Sequence, residues 1–437
     1  MKPQFMIAAP MSGAGKTTIC RGLMELFTQE GYKVQPFKCG PDYIDTKYHK
    51  QACGRPSINL DSFMAEEPHL LELYQHYSAQ ADICIVEGMM GLYDGYDRLK
   101  GSSADIARIL HLPVILVVDA QSSAYSMAAL IYGFQQFNKD IQIKGVIFNK
   151  VGSERHAQLL MEVCQDLNLS YLGSLHRHNE LKIEDRYLGL DFATSAPDEL
   201  EASATVIRKE IDWQQLLSLT ALPDPLLNEE EQKGTQVTKQ KLHIAVARNQ
   251  ESFSFIYAEH LVSLERFGKV SFFDPEREAH LPEDIDLLYL PGGYPEKHAQ
   301  VIAENDTLKK EIYAYITQGG RTLAECGGMI YLSKALLKEE GTFPMVGVFP
   351  FAIDATSSAR KLSLGYRRLN YNGLLLRGHE FHYTQVAMDD AKESAKTITQ
   401  VYNAKGIAVK TPIYRYKNTI ASYAHLYWGE INPFDLF

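Results

Sequence analysis

The first half of the chain alternates short apolar runs with longer segments in which apolar residues recur every three or four positions. The short runs are bounded by turn residues or charges, which is typical of strands buried in a parallel sheet. They are Phe5–Ala9, Lys33–Lys38, Ile83–Glu87, Pro113–Asp119 and Lys144–Asn149. The longer segments predict amphipathic helices at Lys16–Glu30, Glu66–Ala79 and Ser123–Asn138. This alternation predicts an α/β fold with a parallel sheet covered on both faces.

The alternation fades between about residues 197 and 241 and then restarts. Pro223 and Pro225 are followed by a run of glutamates and Gly234, which is typical of an inter-domain linker. New strands are predicted at Leu242–Ala247, Asp286–Pro291 and Arg321–Glu325. We therefore predict two three-layer α/β/α domains, residues 1–222 and 242–437, joined by a linker over residues 223–241.

Composition narrows the class of protein. A chain of 437 residues is too long for one ordinary core, and its formal net charge of -10 argues against nucleic-acid binding. The six cysteines form no Cys-x-x-Cys pair, so neither a zinc site nor a disulfide framework is indicated. The N-terminus lacks a signal-peptide pattern, and the apolar stretch Leu112–Val118 is far shorter than the roughly 20 residues of a membrane helix. We expect a cytoplasmic protein without a nucleic-acid or membrane partner.

A glycine-rich turn between the first strand and the first helix has the form of a phosphate-binding loop. Gly13 and Gly15 can adopt positive φ, so that backbone amides and the helix N-terminus face an anion. Lys16 is expected to bridge the β- and γ-phosphates of ATP, and Thr17 to bind Mg²⁺. The predicted ATP-binding residues are Ser12, Gly13, Gly15, Lys16, Thr17, Thr18 and, at the end of a later strand, Asn149 as a reader of the adenine edge. The glycine that usually opens the loop is replaced by Pro10, with Ala9 before it.

Two further loops carry acids at the carboxyl ends of predicted strands, the edge at which parallel sheets bind ligands. Asp42 and Glu87 are candidates for the Mg²⁺ site together with Thr17, either as direct ligands or through contact with a group that binds the ion. Asp45 and Asp94 lie further out and are expected to face a substrate. The candidate substrate residues are Asp42, Tyr43, Asp45 and Asp94. For each acid the alternative is a turn former or a helix cap.

In the second half, the segment Ala324–Gly328 predicts a nucleophile elbow with cysteine at its centre. A strand runs into Cys326, two glycines follow, and a helix begins. Such a turn exposes the sulfur, and the helix N-terminus lowers the thiol pKa from its free value of about 8.5. The alternative is a buried core cysteine.

Two adjacent glycines after another strand, Gly292 and Gly293, present bare amides that suit an oxyanion hole. His425, near the C-terminus, is a candidate general base for the thiol. His379 and His382 compete for this role, and spacing alone does not decide among the three. A nucleotide loop and a cysteine elbow on one chain predict that two chemical steps are coupled.

Four motifs together resemble the cobyrinic acid a,c-diamide synthase family over essentially the whole chain. They are Gly40–Asp45, Glu87–Gly95, Ala324–Gly328 and Arg377–Tyr383. The family joins a dethiobiotin-synthetase-like P-loop domain to a class I glutamine amidotransferase domain of the cobyric acid synthase type. It amidates the c and then the a carboxylate of a corrin precursor, using Mg²⁺, ATP and glutamine.

The resemblance implies that Cys326 is the nucleophile and His425 its base, and it places Asp42, Glu87 and Asp94 in the synthetase site. Many amidotransferases carry a glutamate two residues after the histidine, but Tyr427 stands there. The group that orients His425 is therefore left open.

Two kinds of alternative remain at this point. The same chemistry on nickel-sirohydrochlorin or hydrogenobyrinic acid fits the motifs almost equally well. A partitioning-type P-loop ATPase fits less well, because Met11 and Ser12 stand where such proteins carry an extra lysine. A homodimer is also open. We interpret Arg367, Arg368 and Arg377 as surface arginines rather than corrin contacts.

Overall fold

The computed structural model describes residues 1–176, 197–224, 242–387 and 397–437. The chain forms two compact units, Met1–Gln232 and Lys233–Phe437. Of the linker predicted over residues 223–241, the part from 225 to 241 lies outside the described residues. Each unit contains its own central sheet.

The first unit alternates strands and helices along most of its length. Its strands are β1 (Lys2–Ala8), β2 (Val34–Cys39), β3 (Ile58–Leu60), β4 (Ile83–Glu87), β5 (Val114–Asp119), β6 (Ile143–Val151), β7 (Ser170–His176) and β8 (Ala221–Leu222). Its helices are α1 (Lys16–Gln29), α2 (Asp45–Cys53), α3 (Glu67–Ser78), α4 (Ser103–Ile109), α5 (Met127–Phe137), α6 (Glu154–Asp166), α7 (Pro197–Glu210) and α8 (Trp213–Leu219). The elements predicted from apolar periodicity are all present, with ends shifted by a few residues.

Strand order in the first sheet brings three loop-bearing strands together. The order is β3-β2-β4-β1-β5-β6-β7, with all of these pairings parallel, and β8 adds to β1 in the antiparallel direction. Glu87 at the end of β4 is in register with Ile7 of β1 and with Lys38 of β2. Because parallel strands end at one edge, the loops after β1, β2 and β4 meet there.

The second unit is richer in strands than the sequence analysis predicts. Its strands are β9 (Leu242–Ala247), β10 (Gly268–Phe273), β11 (Leu287–Leu290), β12 (Arg321–Glu325), β13 (Ala335–Lys338), β14 (Gly341–Pro344), β15 (Ala352–Asp354), β16 (Ser363–Tyr371), β17 (Leu374–His382), β18 (Gln385–Val386), β19 (Val401–Asn403), β20 (Ala408–Val409), β21 (Ile413–Tyr416), β22 (Thr419–Ser422) and β23 (Ala424–Tyr427). Its helices are α9 (Ala258–Phe267), α10 (Ala299–Glu304), α11 (Asp306–Thr317) and α12 (Gly327–Leu332).

The central sheet of this unit has the order β10-β9-β11-β12-β22-β21 and is parallel except for β21. Residues of β11 alternate between two apolar cores, Leu288 and Leu290 on the side of α10 to α12, Leu287 and Tyr289 on the other. That second core also takes side chains from α9 and from the antiparallel sheet β20-β19-β16-β17-β23. The α/β class with a parallel sheet is thus confirmed, and the second unit adds this antiparallel sheet and a mixed sheet of order β14-β13-β15-β18.

The two longest strands that were not predicted, β16 and β17, form a hairpin, and the sequence contains a signal for its turn. Tyr371 pairs with Leu374 across a two-residue turn in which Asn372 and Gly373 have φ of 50° and 78°. Asn-Gly is the residue pair that such turns favour, because both positions need positive φ. The hairpin β16–β17 carries the histidines of the Arg377–Tyr383 motif.

Candidate active sites

The phosphate-binding loop forms as the sequence predicts, in spite of Pro10. Gly13 and Gly15 have φ of 78° and 96°, and α1 begins at Lys16 directly after them. A Cβ atom on Gly15 would lie 2.2 Å from the Nδ2 atom of Asn149, so a side chain there would be obstructed as well as strained. The loop therefore depends on glycine at this position for two separate reasons.

Two residues near the end of β6 form hydrogen bonds to the backbone of this loop. Asn149 donates from Nδ2 to the carbonyl of Ala14 at 2.9 Å. Lys150 contacts the carbonyl of Gly13 at 3.2 Å and the carboxylate of Asp119 at 2.6 Å. The structure thus gives Asn149 a contact with the loop backbone, while its reading of an adenine edge stays a prediction.

Lys16 and Thr17 both contact β4 or the segment after it. Lys16 is buried and donates from Nζ to the carbonyl of Met90 at 2.6 Å. Burial, followed by the nearby charge of Lys38, lowers the pKa of Lys16. Thr17 donates from Oγ1 to the Oε1 atom of Glu87 at 2.7 Å. The loop and the end of β4 therefore form one polar cluster.

Glu87 is the centre of this cluster and is fully buried. Besides Thr17, its carboxylate binds the Nζ atom of Lys38 at 2.9 Å and the Nε2 atom of His49 at 2.6 Å. Burial alone would raise the pKa of Glu87, but Lys38 and the hydrogen bond from His49 hold it well below its usual value. Lys38 also pairs with the Oδ2 atom of Asp45 at 2.7 Å.

Lys38 and His49 are the residues of this cluster that the sequence analysis missed. Lys38 is the last residue but one of the buried strand β2 and has almost no exposed surface. A lysine within a buried strand is rare unless it is paired with an acid, so its position in the sequence already indicates a buried ion pair. His49 lies on α2, which was not predicted, and its Nδ1 atom contacts the hydroxyl of Ser57 at 2.9 Å.

Replacing Lys38 with methionine is expected to destabilise the first unit. Glu87 and Asp45 would be left buried without their shared cation, and breaking a buried pair costs about 3–5 kcal/mol. The chain has two tryptophans, so in a Trp428→Phe background Trp213 fluorescence reports urea unfolding of this unit. Lys150→Met is the matched control, because its pair with Asp119 is partly exposed and worth about 1 kcal/mol or less. Equal losses in the two variants would contradict the role of Lys38 as the counter-charge.

The predicted substrate residues after β2 differ in their hydrogen bonds and in their burial. The Oδ1 atom of Asp42 accepts hydrogen bonds from the amides of Ile44 and Asp45, both at 2.8 Å, so Asp42 also has the turn-forming role named as its alternative. Burial, followed by the charge of Asp45, raises the pKa of Asp42 to about 6. Tyr43, like Asp45, is buried.

Asp94 is exposed and stabilises its own loop. Its Oδ2 atom accepts a hydrogen bond from the amide of Gly91 at 3.0 Å. A Cβ atom on Gly91 would lie 2.6 Å from the carbonyl oxygen of Pro10, so the loop after β4 packs against the start of the phosphate-binding loop. Asp94 therefore lies in a loop that borders the nucleotide site.

In the second unit, the strand–turn–helix arrangement predicted around Cys326 is present. Cys326 has φ of 46° between β12 and α12, and its amide donates to the carbonyl of Ser422 at 2.7 Å. A Cβ atom on Gly328 would lie 2.0 Å from the carbonyl oxygen of Leu290, so the following helix can approach β11 only with glycine there. The turn is thus strained at the nucleophile and fixed by glycine after it.

The thiol itself differs from expectation, because it is covered rather than open. Cys326 is only 4% exposed and belongs to the apolar core beside α12. Burial raises the pKa of the Cys326 thiol, and the carboxyl group of Glu296 raises it further, against the lowering effect of the Gly327 amide. The helix N-terminus therefore does not outweigh desolvation in this structure.

His425 and the two glycines adjoin the same elbow. A Cβ atom on Gly292 would lie 2.2 Å from the Cε1 atom of His425, and one on Gly327 would lie 2.9 Å from the amide nitrogen of Gly293. Burial, followed by the nearby His379, lowers the pKa of His425 well below its usual value. The imidazole is therefore neutral at pH 7, the state that a general base requires.

His379 and His382 point to different surroundings. His379 is in register with His425, and their rings stack at a centroid distance of 4.8 Å and an angle of 11°. The hydroxyl of Tyr257 lies 3.1 Å from the Nδ1 atom of His379. His382 instead contacts the Oε1 atom of Glu380 and the carbonyl of Thr384, both at 2.7 Å.

The interpretation of Arg367 as a surface arginine is wrong. Arg367 is buried, and its Nε atom binds the Oε2 atom of Glu380 at 2.6 Å. Thr411 donates to the same oxygen. Successive side chains of β17 point to opposite faces of the sheet, so Glu380 and His382 lie on the face away from His379. Arg367 lies on the same face as Glu380 and His382. Arg368, one residue further on, is exposed as expected.

Two carboxylates, those of Glu259 and Glu325, contact the residues that follow His425 in β23. Tyr427 stands where many amidotransferases carry glutamate, and its hydroxyl donates to Glu259. Glu325 accepts from the amide of Leu426 at 2.9 Å and from the hydroxyl of Tyr289 at 2.7 Å. Burial raises the pKa of Glu325 to about 7. Glu325, which directly precedes the nucleophile Cys326, is thus hydrogen-bonded to Leu426, the residue after His425.

Comparison with known proteins gives the class first. Residues 5–188 match the CobQ/CobB/MinD/ParA nucleotide binding domain, and residues 243–433 match the CobB/CobQ-like glutamine amidotransferase domain. The chain is therefore an ATP-using ligase that forms carbon–nitrogen bonds with nitrogen from glutamine. No helix among the residues that the structure describes is long and apolar enough to span a bilayer.

Full-length relatives then give the family. A cobyrinate a,c-diamide synthase of Caldanaerobacter subterraneus subsp. tengcongensis is 39% identical over 97% of this chain and 94% of its own length. A hydrogenobyrinate a,c-diamide synthase of Brucella abortus is also 39% identical, over 92% and 93%. A cobyrinate a,c-diamide synthase of Synechocystis is 36% identical over 97% and 90%. The chain belongs to this a,c-diamide synthase family.

Proposed function

We propose that this chain amidates the a and c carboxylates of cobyrinic acid at the expense of ATP and glutamine, in the cytoplasm. The observation that carries the proposal is the end-to-end likeness to a cobyrinate a,c-diamide synthase, together with a nucleotide loop and a cysteine elbow in separate units. Hydrogenobyrinic acid is the second candidate, because the relative named for it is equally identical.

Mass spectrometry of the product tests the substrate directly. The enzyme is incubated with ATP, Mg²⁺ and glutamine, and with either cobyrinic acid or hydrogenobyrinic acid. We expect a diamide from cobyrinic acid at the higher kcat/KM. A preference for the metal-free acid would replace the first candidate by the second, and no amide from either would contradict both.

In the glutaminase step, His425 takes the thiol proton of Cys326 as the sulfur attacks the amide carbon of glutamine. The amides of Gly292 and Gly293 are proposed to bind the resulting oxyanion. His425 returns the proton to the leaving nitrogen, and ammonia departs from a thioester. Water, deprotonated by His425, then hydrolyses the thioester to glutamate and restores the thiol.

In the synthetase step, the γ-phosphoryl group of ATP passes to a substrate carboxylate, and ammonia then displaces phosphate to form the amide. Lys16 and the loop amides neutralise charge on the phosphates. Thr17 fits a Mg²⁺ ligand, because donating its hydrogen to Glu87 leaves oxygen lone pairs for a metal. Glu87, whose two oxygens bind Thr17, Lys38 and His49, acts through these partners. Mg²⁺, when bound at Thr17, would supply further positive charge to the phosphates.

His379 is proposed to orient His425 in place of the missing glutamate. The Cε1 edge of the His425 ring adjoins Gly292, and the ring of His379 stacks on its face. Tyr257 contacts His379 in turn. Burial lowers the pKa of His379 to about 3, so this ring is uncharged at pH 7.

His379→Ala is expected to lower the kcat for glutamine hydrolysis about 10- to 100-fold, with little change in KM, because the base loses its alignment. His379→Phe keeps a flat neutral ring and is expected to recover most of this activity. Ammonia release under saturating glutamine is the measurement. Equal damage by phenylalanine and alanine would instead indicate that His379 itself transfers protons.

A further inference from the structure

One carboxylate beside the nucleophile has an oxygen without a partner. The Oε2 atom of Glu296 is shielded from solvent and makes no hydrogen bond to any part of the chain that the structure describes. Proteins pair nearly all such atoms, because an unpaired buried oxygen has lost its hydration and gained nothing. An orphaned carboxylate oxygen in a reactive site is therefore a candidate ligand-binding group.

The position of Glu296 is set by the segment that carries the glycine pair. Glu296 follows Pro295 in a short 3₁₀ turn, Pro295–His298, after β11. A Cβ atom on Gly327 would lie 3.0 Å from the Cδ atom of Pro295. The segment before Glu296 thus packs directly on the residue that follows Cys326, and among charged groups Glu296 has the largest effect on the Cys326 thiol.

The basic residues next to Glu296 in the sequence are directed to another acid. Lys297 and His298 place their nitrogens 3.7 and 3.2 Å from the Oε2 atom of Glu251. Burial raises the pKa of Glu296 to about 7, and the lowering effects of its own backbone amide and of Lys297 are smaller. Glu296 is therefore an acid whose charge is poorly compensated within the protein.

We propose that Glu296 binds the α-ammonium group of glutamine and thereby places the side-chain amide against Cys326. This inference rests on the proposed glutaminase function. Glutamine carries its positive charge a short side chain away from the amide carbon that the sulfur attacks. A carboxylate beside the thiol is the chemical complement of that charge, and hydrogen bonds between ionised groups are the stronger kind.

The same contact links substrate binding to the reactivity of the thiol. In the free site, the negative field of Glu296 disfavours the thiolate of Cys326. An ammonium group bound to Glu296 cancels this field, so proton transfer from Cys326 to His425 becomes easier when an amino acid is present. The covered, protonated thiol of the free protein is then the resting state of a nucleophile that glutamine activates.

The experiment compares glutamine with 4-carbamoylbutanoate, which has the same amide and no amino group. Ammonia release is measured for the full-length wild type and for Glu296→Gln. We expect the wild type to prefer glutamine in kcat/KM by about 10- to 100-fold, the value of a hydrogen bond to a charged group. Glu296→Gln should raise the KM for glutamine by a similar factor and use the two amides within about threefold of each other.

Glu251→Gln is the matched control, because it removes a neighbouring carboxylate that already has cationic partners, and it should keep the wild-type preference. An unchanged preference in Glu296→Gln would overturn the inference, even with a lower kcat. Equal use of both amides by the wild type would overturn it without any variant. A wild type that releases no ammonia from glutamine would instead contradict the proposed function.

Discussion

Replacing Cys326 with serine is expected to abolish glutamine-dependent amidation while amidation from added ammonia continues at close to the wild-type rate. Serine has nearly the same size, so the elbow is kept, but its hydroxyl is a far weaker acid than a thiol and His425 cannot activate it well. Loss of a catalytic nucleophile lowers kcat by at least about 10³-fold. Amide formation is measured with each nitrogen source in turn.

Cys164→Ser provides the control, because Cys164 is a buried cysteine of α6 in the other unit. It should change neither nitrogen source appreciably. Loss of both activities in Cys326→Ser would contradict two separable sites. Retention of both would show that another group attacks glutamine.

Lys16→Ala is expected to abolish amidation from glutamine and from ammonia alike. Both routes need the activated carboxylate, and Lys16 is the cation at the start of α1 that is proposed to hold the β- and γ-phosphates. Without it, the charge that develops during phosphoryl transfer loses a preorganised partner, at a cost of at least about 10²-fold in kcat. Release of phosphate and formation of amide are measured together.

Lys33→Ala is the matched control for this change, since Lys33 is an exposed lysine just before β2 in the same unit. It should leave the amidation rate unaltered. Glutamine hydrolysis without ATP should survive in Lys16→Ala, because it belongs to the second unit. ATP-dependent amide formation that persists in this variant would refute the phosphate-loop assignment.

The local parts of both sites were predictable, because they depend on neighbouring residues. The phosphate loop follows from glycines between an apolar strand and an amphipathic helix, and the elbow follows from Cys326 and the two glycines after it. Each of these turns is fixed by which residues tolerate positive φ. The loop therefore forms even though Pro10 replaces its usual first glycine.

Contacts between distant segments were not predictable in the same way. The pairing of Lys38 with Glu87 depends on β2 lying beside β4, and the stacking of His379 on His425 depends on the register of β17 with β23. A shift of one residue would turn either side chain to the opposite face of its sheet. The spacing of residues along the chain does not predict that register.

The expectation for the thiol failed for a related reason. Proximity to a helix N-terminus is visible in the sequence and favours a thiolate, whereas the surrounding core and the carboxyl group of Glu296 are assembled from other segments. Desolvation is a property of everything that packs around a group. It outweighs the helix terminus at Cys326 and reverses the direction of the pKa shift.

The sequence by itself determined the α/β class, the phosphate-binding loop, the cysteine elbow and the family, since each is encoded in short stretches whose backbone chemistry is local. The tertiary structure alone decided which histidine packs on His425, which cation compensates Glu87, and how deeply Cys326 is buried. Those features are set by strand register and by packing between segments far apart in the chain, and they fix the electrostatic surroundings of every reactive group.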